Sequence, residues 1–374
     1  MKCSVATLNC CLSVCPPLRF NGAFARARRL VDAVYSSIPA SDLDIICLQE
    51  LVSGRNEILK NFIQHPYHSH KVESSLFGNN IRVVHAGLAT VSRWPILEED
   101  AHVFSGKTYH LEAFMAKAVQ YTKILMHESV IVHVFNTHLQ AWTNERASAI
   151  RLEQMRQIGT FMQKKLLGVC RKTQLVVLAG DFNVDGFEHA ESMEKLMREV
   201  NMSMVMPLTP QFSFDPTVNP LVGTDDAAEY AVKGNLDGCY DDFIQNGTCS
   251  CCPKQLVDGV AVLKEQLDAS FVTSAIANVV PILSRAPFEI MVNMSTRRTI
   301  QTISDHFAVY VQFDCRIQNL DASAIKFEAT HRNCFRPKMH LGWILFELVL
   351  FFALLLLFWT VCSCIGKLFH RHKK

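Results

Sequence analysis

The sequence predicts an α+β fold with a mixed, largely antiparallel β core covered by helices. Short apolar runs bounded by polar residues recur along the chain, and such runs are typical of buried strands. Segments with helical periodicity lie between some of these runs, and other runs form hairpin-like pairs. The chain has 374 residues and 49% hydrophobic content, which is enough for one large core.

The individual elements are assigned from local patterns. Apolar runs predict strands at 5–9, 43–48, 81–84, 87–92, 112–121, 129–135, 175–183 and 303–309. Apolar residues at helical spacing predict helices at 23–38, 143–166 and 187–200, the second with Thr143 as its N-cap. Residues 204–234 are rich in Pro, Asn, Asp and Gly and are predicted to form a long surface loop.

Polar residues stand at or beside the ends of four apolar runs: Asn9, Glu50, Asp181, Asn183, Asp305 and His306. Groups at strand ends can converge on one edge of a sheet, where rigid elements hold them for chemistry. Carboxylate and amide oxygens suit Mg²⁺, and histidine is the side chain best placed to act as a base near neutral pH. The set therefore predicts a magnesium-assisted hydrolase of phosphoesters. Asn136 and His138 add a further amide and imidazole at the end of strand 129–135.

Each of these residues also has an ordinary structural interpretation. Glu50 alone would most often be a strand terminus, and Asp181-Phe182-Asn183 alone could be a turn stabilised by its own Asx side chains. His138 alone would more often be a structural histidine, since the chain has 15 histidines. Compatible groups delivered by four separate strands favour the catalytic interpretation.

Charge and cysteine content narrow the class of protein. The net charge of +2 gives no support for extensive nucleic-acid binding, which usually shows as a basic excess. The 14 cysteines, with adjacent pairs and one inside a strand-like run, favour a reducing compartment over a disulfide scaffold. Cys249, Cys251 and Cys252 lack a second pair at zinc-ligand spacing, so a loop or redox-active pair is favoured over a zinc site there.

The order of motifs resembles the endonuclease/exonuclease/phosphatase superfamily. TLNC with Asn9, LQE ending at Glu50, GLATVSRWPI, NTHL, GDFN and SDH carry the resemblance, over roughly residues 3–312. It implies a DNase-I-like four-layer α/β/β/α sandwich with the site on one edge of the paired sheets. It also implies Mg²⁺ on Glu50 with Asn9 close by, Mn²⁺ as a possible substitute, and His306 as the general base.

One stretch resembles the neutral sphingomyelinases in particular. HLQAW at 138–142 is followed by Arg151-Leu152-Glu153-Gln154, similar to their HLQA and downstream R-x-x-Q. The resemblance implies that His138 contacts the substrate phosphate, that Asn183 binds or orients it, and that Asp181 assists the attacking water. Asn136 joins His138 and Asn183 as a candidate for substrate binding, and Asp305 joins the catalytic group.

The sequence departs from the family pattern at two places. Lys117 stands where a lysine-glycine pair is expected, but Ala118 replaces the glycine, which puts a phosphate-binding role for Lys117 in doubt. The family's Leu-Asp-Tyr strand, whose Asp orients the catalytic histidine, is matched best by Leu236-Asp237, with Asp241 or Asp242 as alternatives. Choosing Asp237 implies an insertion around 246–295, interpreted as a surface decoration.

These features predict a sphingomyelin phosphodiesterase of the phospholipase C type, which makes ceramide and phosphocholine. A phosphodiesterase acting on a lysophospholipid or an inositol lipid is the alternative. A nuclease is disfavoured by charge, and a non-catalytic membrane scaffold is disfavoured because the core catalytic positions are filled.

The predicted domains are a catalytic domain at 1–315, a basic linker at 316–340, a transmembrane helix at 341–365 and a basic tail at 366–374. The apolar run at 341–365 exceeds the ~20 residues that a helix needs to cross a bilayer, and a buried core helix is the weaker alternative. No signal peptide is recognised. A single-pass C-terminal anchor with a cytosolic catalytic domain is the expected topology, although the flanking basic residues do not decide the orientation.

Overall fold

The structure is a computed structural model of the chain. It describes residues 2–12, 22–73, 84–106, 108–109, 112–113, 115–126, 130–171, 173–221, 254–268, 271–291 and 297–316. The chain divides into two units, residues 1–322 and 323–374, and every described residue belongs to the first. Asp237, the cysteines at 249–252, the linker beyond Arg316, the predicted transmembrane segment and the basic tail lie outside the described residues. Among the helices that are described, none has the length and apolarity to cross a membrane.

The strands in chain order are β1 (Lys2–Asn9), β2 (Ile45–Gln49), β3 (Tyr67–His68), β4 (Ala89–Ser92), β5 (Ile96–Val103), β6 (Ala118–Met126), β7 (Val130–His138), β8 (Leu175–Asp181), β9 (Met202–Met204), β10 (Asp258–Leu263), β11 (Val272–Val280), β12 (Leu283–Met291), β13 (Arg297–Thr302) and β14 (Ala308–Cys315). The helices are α1 (Ala23–Ala27), α2 (Leu30–Ser37), α3 (Arg55–Asn61), α4 (Glu145–Lys165), α5 (Ala190–Glu199) and α6 (Lys264–Asp268), with a 3-10 turn at Ala40–Asp42.

Two six-stranded sheets form the core. The first has the order β11-β14-β1-β2-β4-β3, the second has the order β5-β6-β7-β8-β10-β9, and β12 and β13 pair as a separate hairpin. Most neighbours are antiparallel, but β1 pairs parallel with β2, and β7 pairs parallel with β8. The sheets are therefore mixed and largely antiparallel, as predicted.

Alternation along the strands builds the layers. Alternate residues of β1 and β2, such as Val5 and Cys47, point between the sheets and pack against Val134 and Val177 of the second sheet. The other faces of the two sheets pack against helices, as the buried clusters show: Leu8, Leu48, Leu30 and Ile58 in the first, and Leu178, Tyr121, Met155 and Leu196 in the second. This arrangement confirms the predicted α/β/β/α sandwich.

Several predicted boundaries move. The predicted helix at 23–38 is divided into α1 and α2, and Arg29 between them has a φ of −104° and a ψ of −11°. Helix α4 begins one residue later than expected, since Asn144 is the N-cap and its side chain accepts a hydrogen bond from the Ala147 N–H at 3.0 Å. Strand β6 extends to Met126 through the polar Thr122, which is buried because it shares the face of Ile124 and Met126 that packs between the sheets.

The interpretation of 246–295 as a surface decoration is wrong for the part that the structure describes. Strand β10 lies inside the second sheet between β8 and β9, and β11 forms an edge of the first sheet. The segment therefore contributes to both sheets. The apolar run of β10 begins with an acid, Asp258, so it differs from the runs that end in a polar residue.

Strand directions bring the predicted site residues to one edge. Strands β1 and β2 end there, and β14, antiparallel to β1, begins there with Thr7 opposite Val309. In the second sheet β7 and β8 end at one edge, and β10, antiparallel to β8, begins there with Asp258 opposite Asp181. Asp305 and His306 thus precede a strand, whereas the sequence had placed them inside one.

Candidate active site

A buried histidine–carboxylate pair lies at the edge where the two sheets meet. Nδ1 of His306 is 2.6 Å from Oδ2 of Asp258, and Asp258 is fully buried. Because a carboxylate only accepts, Nδ1 carries a proton, and in the neutral imidazole the lone pair is on Nε2. Burial opposes charge on His306, but the carboxylates of Asp258, Asp305 and Asp181 outweigh it and hold the pKa of His306 well above its usual value.

Asn9 joins two further acids of the site, Glu50 and Asp181. The Asn9 amide donates to Oε1 of Glu50 at 3.1 Å and to Oδ2 of Asp181 at 3.0 Å, so one side chain bridges the two sheets. Its oxygen accepts from the Cys11 N–H at 3.0 Å, which fixes the orientation of the amide. Burial and then the charge of Asp258 raise the pKa of Asp181. Several acids therefore share a poorly solvated space, which is a setting that favours a cation.

Close backbone approaches place these two acids. Glu50 has a φ of 51°, in the left-handed region, and a Cβ on Gly87 would lie 3.1 Å from the Cα of Glu50. Glycine at 180, just before Asp181, approaches β7 so closely that a Cβ there would lie 2.1 Å from the Thr137 carbonyl oxygen. A larger residue at either position would displace the acid next to it.

His138 is a neutral side chain in this site. It ends β7 directly beside Asp181 in the parallel register, and its Nε2 lies 3.6 Å from Oδ2 of Asp181. Burial, followed by the nearby Lys117 charge, lowers the pKa of His138 to about 4. At neutral pH it can therefore offer a hydrogen bond without a charge.

Asn183 lies two residues beyond Asp181 in a strained conformation. Its φ is 53°, its N–H donates to Oδ1 of Asp181 at 2.9 Å, and its amide donates to the Leu139 carbonyl at 3.1 Å. Left-handed backbone is unusual for a residue other than glycine, although Asn tolerates it better than most. Such strain often accompanies functional positions. The geometry places the Asn183 amide beside the HLQA segment.

The R-x-x-Q residues support that segment. Arg151 donates from Nη1 to the carbonyl of Gln140 at 2.8 Å and to that of Trp142 at 2.5 Å, and Gln154 accepts from the Gln140 N–H at 2.9 Å. Trp142 itself has a φ of 82°. The two motifs are thus physically joined, because α4 holds the loop that follows His138.

Lys117 also serves this loop. It is buried, forms an ion pair with Glu112 at 2.5 Å and donates to the Leu139 carbonyl at 2.9 Å. Both contacts hold the Lys117 ammonium group against the protein itself. A phosphate-binding role for Lys117, already doubtful from its Ala118 neighbour, finds no support in them.

Asn136 occupies a different place from the predicted one. Its amide donates to the carbonyls of Leu48 and Ala89 at 3.2 and 3.0 Å, and its oxygen accepts from Nε2 of Gln49 at 2.8 Å. The side chain is fully buried between the sheets. Both ends of the amide are used inside the protein, so its contacts point to sheet–sheet attachment in place of substrate binding.

Asp305 lies between Ser304 and His306, which are joined by hydrogen bonds through the Ser304 hydroxyl. Its Oδ1 accepts from the Ser304 hydroxyl at 3.2 Å, and that hydroxyl also donates to the Asn9 carbonyl at 2.5 Å. The Ser304 Oγ accepts in turn from the His306 N–H at 3.2 Å. The SDH segment is thereby attached to the end of β1.

Asp258 is the site residue that the sequence analysis missed. Asp237, expected to orient His306, lies outside the described residues, whereas the carboxylate that contacts His306 is that of Asp258. A signal was present in Leu256-Val257-Asp258-Gly259-Val260, an apolar-Asp pattern at the start of a strand-like run ahead of SDH. The sequence pattern alone favours Leu236-Asp237, in which the leucine of the expected motif directly precedes the acid.

The donor set fits a hard divalent cation. Glu50 and Asp181 offer carboxylate oxygens, with Asn9 bonded to both. Oδ1 of Asp258 is buried and accepts no hydrogen bond from any described residue, which adds to the uncompensated negative charge. Asp181, Asp258 and His306 form a second possible donor group, with ligand atoms within 4.8 Å of one another. The hydrogen bond between His306 and Asp258 already occupies two of those atoms, so the Glu50 side fits a metal better.

Together these groups can activate water and bind a phosphate. A histidine with a fixed tautomer can take a proton, neutral amide and imidazole donors can face an anionic oxygen, and grouped acids can hold a cation. The ring of Phe214 packs edge-on against His306 with centroids 5.3 Å apart, which forms an apolar wall beside the imidazole.

Comparisons with known proteins show the family of this chain and its similarity to two lipid-cleaving enzymes. The sequence model of the Endonuclease/Exonuclease/phosphatase family matches residues 6–217. Sphingomyelinase C of Listeria ivanovii is 29% identical over 196 residues, which cover 48% of this chain and 56% of that protein. Phospholipase C of Staphylococcus aureus is 32% identical over 184 residues, with 48% and 51% covered. The chain spans about half the length of the curated relatives it matches.

Solved structures extend the similarity of fold. Sphingomyelinase C from Streptomyces griseocarneus superposes with a TM-score of 0.65 at 19% identity, over 84% of this chain and 100% of that chain. A Staphylococcus aureus beta toxin mutant with bound magnesium ions gives a TM-score of 0.63 at 20% identity, over 83% and 99%. At these identities the likeness is one of fold.

Proposed function

The chain belongs to the Endonuclease/Exonuclease/phosphatase family, and we propose that it hydrolyses sphingomyelin to ceramide and phosphocholine with Mg²⁺ as its cofactor. The observation that carries the proposal is the buried pair of His306 and Asp258 beside the acids joined by Asn9. A base with a fixed tautomer next to a cluster of oxygen donors is what hydrolysis of a stable phosphodiester requires.

His306 is the general base in this proposal. Its Nδ1–H donates to Asp258, which leaves Nε2 free to accept a proton from water. The oxygen of that water forms a bond to phosphorus, the bond from phosphorus to the ceramide oxygen breaks, and the ceramide oxygen takes up a proton. Asp181, which lies within 4.8 Å of the same group, assists by orienting the water.

His138 and Asn183 bind the phosphate. His138 is neutral at physiological pH because its pKa is lowered to about 4, so it offers a hydrogen bond from within a buried site. Asn183 is held at the same edge by hydrogen bonds to Asp181 and to the Leu139 carbonyl. Preorganised donors of this kind stabilise the negative charge that develops on phosphoryl oxygens.

Glu50, which Asn9 joins to Asp181, would hold the Mg²⁺. When bound, the ion supplies positive charge to a phosphoryl oxygen. Glu50→Gln removes an anionic ligand while keeping the shape, so the Mg²⁺ concentration needed for half-maximal activity should rise strongly. Glu57→Gln, at an exposed position on α3, is the matched control. Equal Mg²⁺ dependence in both variants would exclude Glu50 as a ligand.

The lipid character of the substrate is supported by the relatives and by the apolar segment at 341–365. Two matched proteins bear the names Sphingomyelinase C and Phospholipase C. A single-pass anchor would keep the enzyme at the surface where a lipid phosphodiester is presented, which raises its effective concentration. The cysteine pattern favours a cytosolic catalytic domain.

A different phospholipid is the second candidate, because the Staphylococcus aureus relative with 32% identity is named Phospholipase C. Purified protein should therefore be incubated in parallel with labelled sphingomyelin, lysophosphatidylcholine, an inositol lipid and abasic DNA, each with Mg²⁺. We expect phosphocholine to be released fastest from sphingomyelin. Faster cleavage of another lipid would reassign the substrate, and cleavage of DNA alone would overturn the proposal.

A further inference from the structure

The segment that carries His306 has no regular structure of its own. Strand β13 ends at Thr302 and β14 begins at Ala308, so the residues between them lie outside the sheet hydrogen bonds. Buried backbone groups in such a segment need other partners. The position of the imidazole depends on what those partners are.

One partner is Asn219, in a segment that the family motifs quoted above do not include. Its amide donates to the carbonyls of Ser304 and Asp305, both at 2.9 Å, directly before His306. Its oxygen accepts from the Leu221 N–H at 3.1 Å. The side chain is fully buried, so water is excluded as a substitute for these contacts.

The same segment, residues 211–221, contacts the other half of the catalytic pair. The Ser213 hydroxyl accepts from the N–H groups of Val257 and Asp258, each at 3.1 Å, and the Ser213 carbonyl accepts from the Phe307 N–H at 2.7 Å. Residues on both sides of His306, and the backbone of Asp258, are therefore attached to one stretch of chain.

We propose that Asn219 is a positioning residue for His306, which sets the imidazole against Asp258 by holding the two carbonyls that precede it. The proposal rests on the proposed function in that His306 is taken as the base. Asn219 touches neither water nor substrate in this account and acts only through the backbone of Ser304 and Asp305. A displacement of ~1 Å in a reacting group can cost ~10²-fold in rate, so the two hydrogen bonds from Asn219 matter for turnover.

Asn219→Asp removes only the hydrogen bonds that Asn219 donates to the carbonyls of Ser304 and Asp305. The variant keeps the oxygen that accepts from Leu221 but replaces the donor to the two carbonyls with a second acceptor. We expect kcat to fall by ~10–100-fold while KM stays within about threefold, since substrate contacts are left in place. Thr217→Val is the matched control, because it removes a hydroxyl contact to Asp215 in the same segment without touching the His306 loop.

A second readout does not depend on any substrate. In protein labelled with ¹⁵N-histidine, the Nδ1–H of His306 should give a strongly downfield proton signal because of its short hydrogen bond to a carboxylate, and His306→Gln identifies it by its disappearance. The signal should move upfield or broaden in Asn219→Asp and stay in place in Thr217→Val. If the wild type fails to cleave sphingomyelin, the proposed function fails, but this spectrum still tests the positioning role.

Three results would overturn the proposal. One is a folded Asn219→Asp protein with kcat within about twofold of the wild type. Another is an equal loss of kcat in Asn219→Asp and Thr217→Val, which would indicate a general structural role. The third is an unchanged His306 signal in folded Asn219→Asp. If that variant does not fold, Asn219→Ser is tested instead, because its hydroxyl can donate to one carbonyl at most. We expect an intermediate kcat for Asn219→Ser. A wild-type kcat would contradict the positioning role.

Discussion

His306 and Asp258 join the two sheets of the sandwich through a hydrogen bond of 2.6 Å between Nδ1 and Oδ2. Asp258 begins β10 of the second sheet, whereas His306 lies just before β14 of the first. The residues are 48 positions apart in the chain. Correct packing of the two sheets is therefore a condition for this hydrogen bond.

Replacing Asp258 with Asn should lower turnover and shift its pH dependence. Burial lowers the pKa of His306 and the nearby carboxylates raise it, with a net rise, so removing the Asp258 charge should lower that pKa. The base is active when deprotonated, so the acid limb of kcat/KM should move to lower pH. The plateau should fall by ~10²–10⁴-fold because the tautomer is no longer fixed.

A pH–rate profile of both proteins measures this effect. Asp215→Asn, which alters a carboxylate bonded to Thr217 and Lys254, serves as the control. An acid limb at the wild-type position together with an unchanged plateau would show that Asp258 does not orient the base.

Much of the fold could be predicted from periodicity, because buried strands such as β2 and β8 are nearly continuous apolar runs that end in a polar residue. Asn9, Glu50 and Asp181 were found in this way, and the structure brings them together through the Asn9 amide. Asp258 was missed because its run begins with the acid. Which acid faces the histidine is decided by the packing of two sheets, and no local pattern records that.

Asn136 shows the opposite error. Its position two residues before His138 suggested substrate binding, because residues two apart in a strand share a face. Asn136 lies one step further from the strand end, and the sequence does not show how far the other sheet reaches along that face. In the structure it points between the sheets, where it contacts Leu48, Gln49 and Ala89.

Asn136→Ala should therefore destabilise the protein. The change leaves buried groups of the first sheet without partners, at a cost of about 2–5 kcal/mol in the free energy of unfolding. Urea unfolding measures this cost, and Asn61→Ala at an exposed position should stay within ~0.5 kcal/mol of the wild type. A large rise in KM with unchanged stability would instead restore Asn136 as a substrate contact.

The neutral ring of His65 should contribute stability that is lost on mild acidification. Burial lowers the pKa of His65 to about 4, and Tyr35 and the Leu43 carbonyl hold its neutral ring by hydrogen bonds of 2.8 and 3.0 Å. In the unfolded chain the pKa of His65 is about 6.5. Between about pH 6.5 and about pH 4 the unfolded chain therefore binds a proton at His65 that the folded protein does not, and lowering the pH favours unfolding. The His65 contribution to stability should fall as the pH is lowered through this window and level off below it.

The unfolding free energy in EDTA, compared at about pH 7.5 and about pH 5, measures this dependence. His65→Gln should reduce the pH dependence, whatever its effect on absolute stability. An identical dependence in the variant would show that His65 does not contribute.

The segment at 341–365 is predicted to be a membrane anchor separate from the catalytic core. Deleting residues from about 335 onward should give a soluble protein that still cleaves substrate in detergent micelles. Its rate on intact vesicles should fall, because substrate must then be reached by diffusion from solution. A deletion of residues 366–374 alone is the control and should keep the vesicle rate. Aggregation of the longer deletion with an unfolded catalytic domain would contradict the anchor.

The release of phosphocholine from sphingomyelin by the wild type and by His306→Ala, with Mg²⁺ and with excess EDTA, tests the central claim most directly. His70→Ala, at an exposed histidine, is the matched control. The account predicts turnover in wild type and His70→Ala with Mg²⁺, none in EDTA, and a loss of ~10²–10⁴-fold in folded His306→Ala. Near-normal turnover by His306→Ala, or full wild-type activity in EDTA, would contradict it.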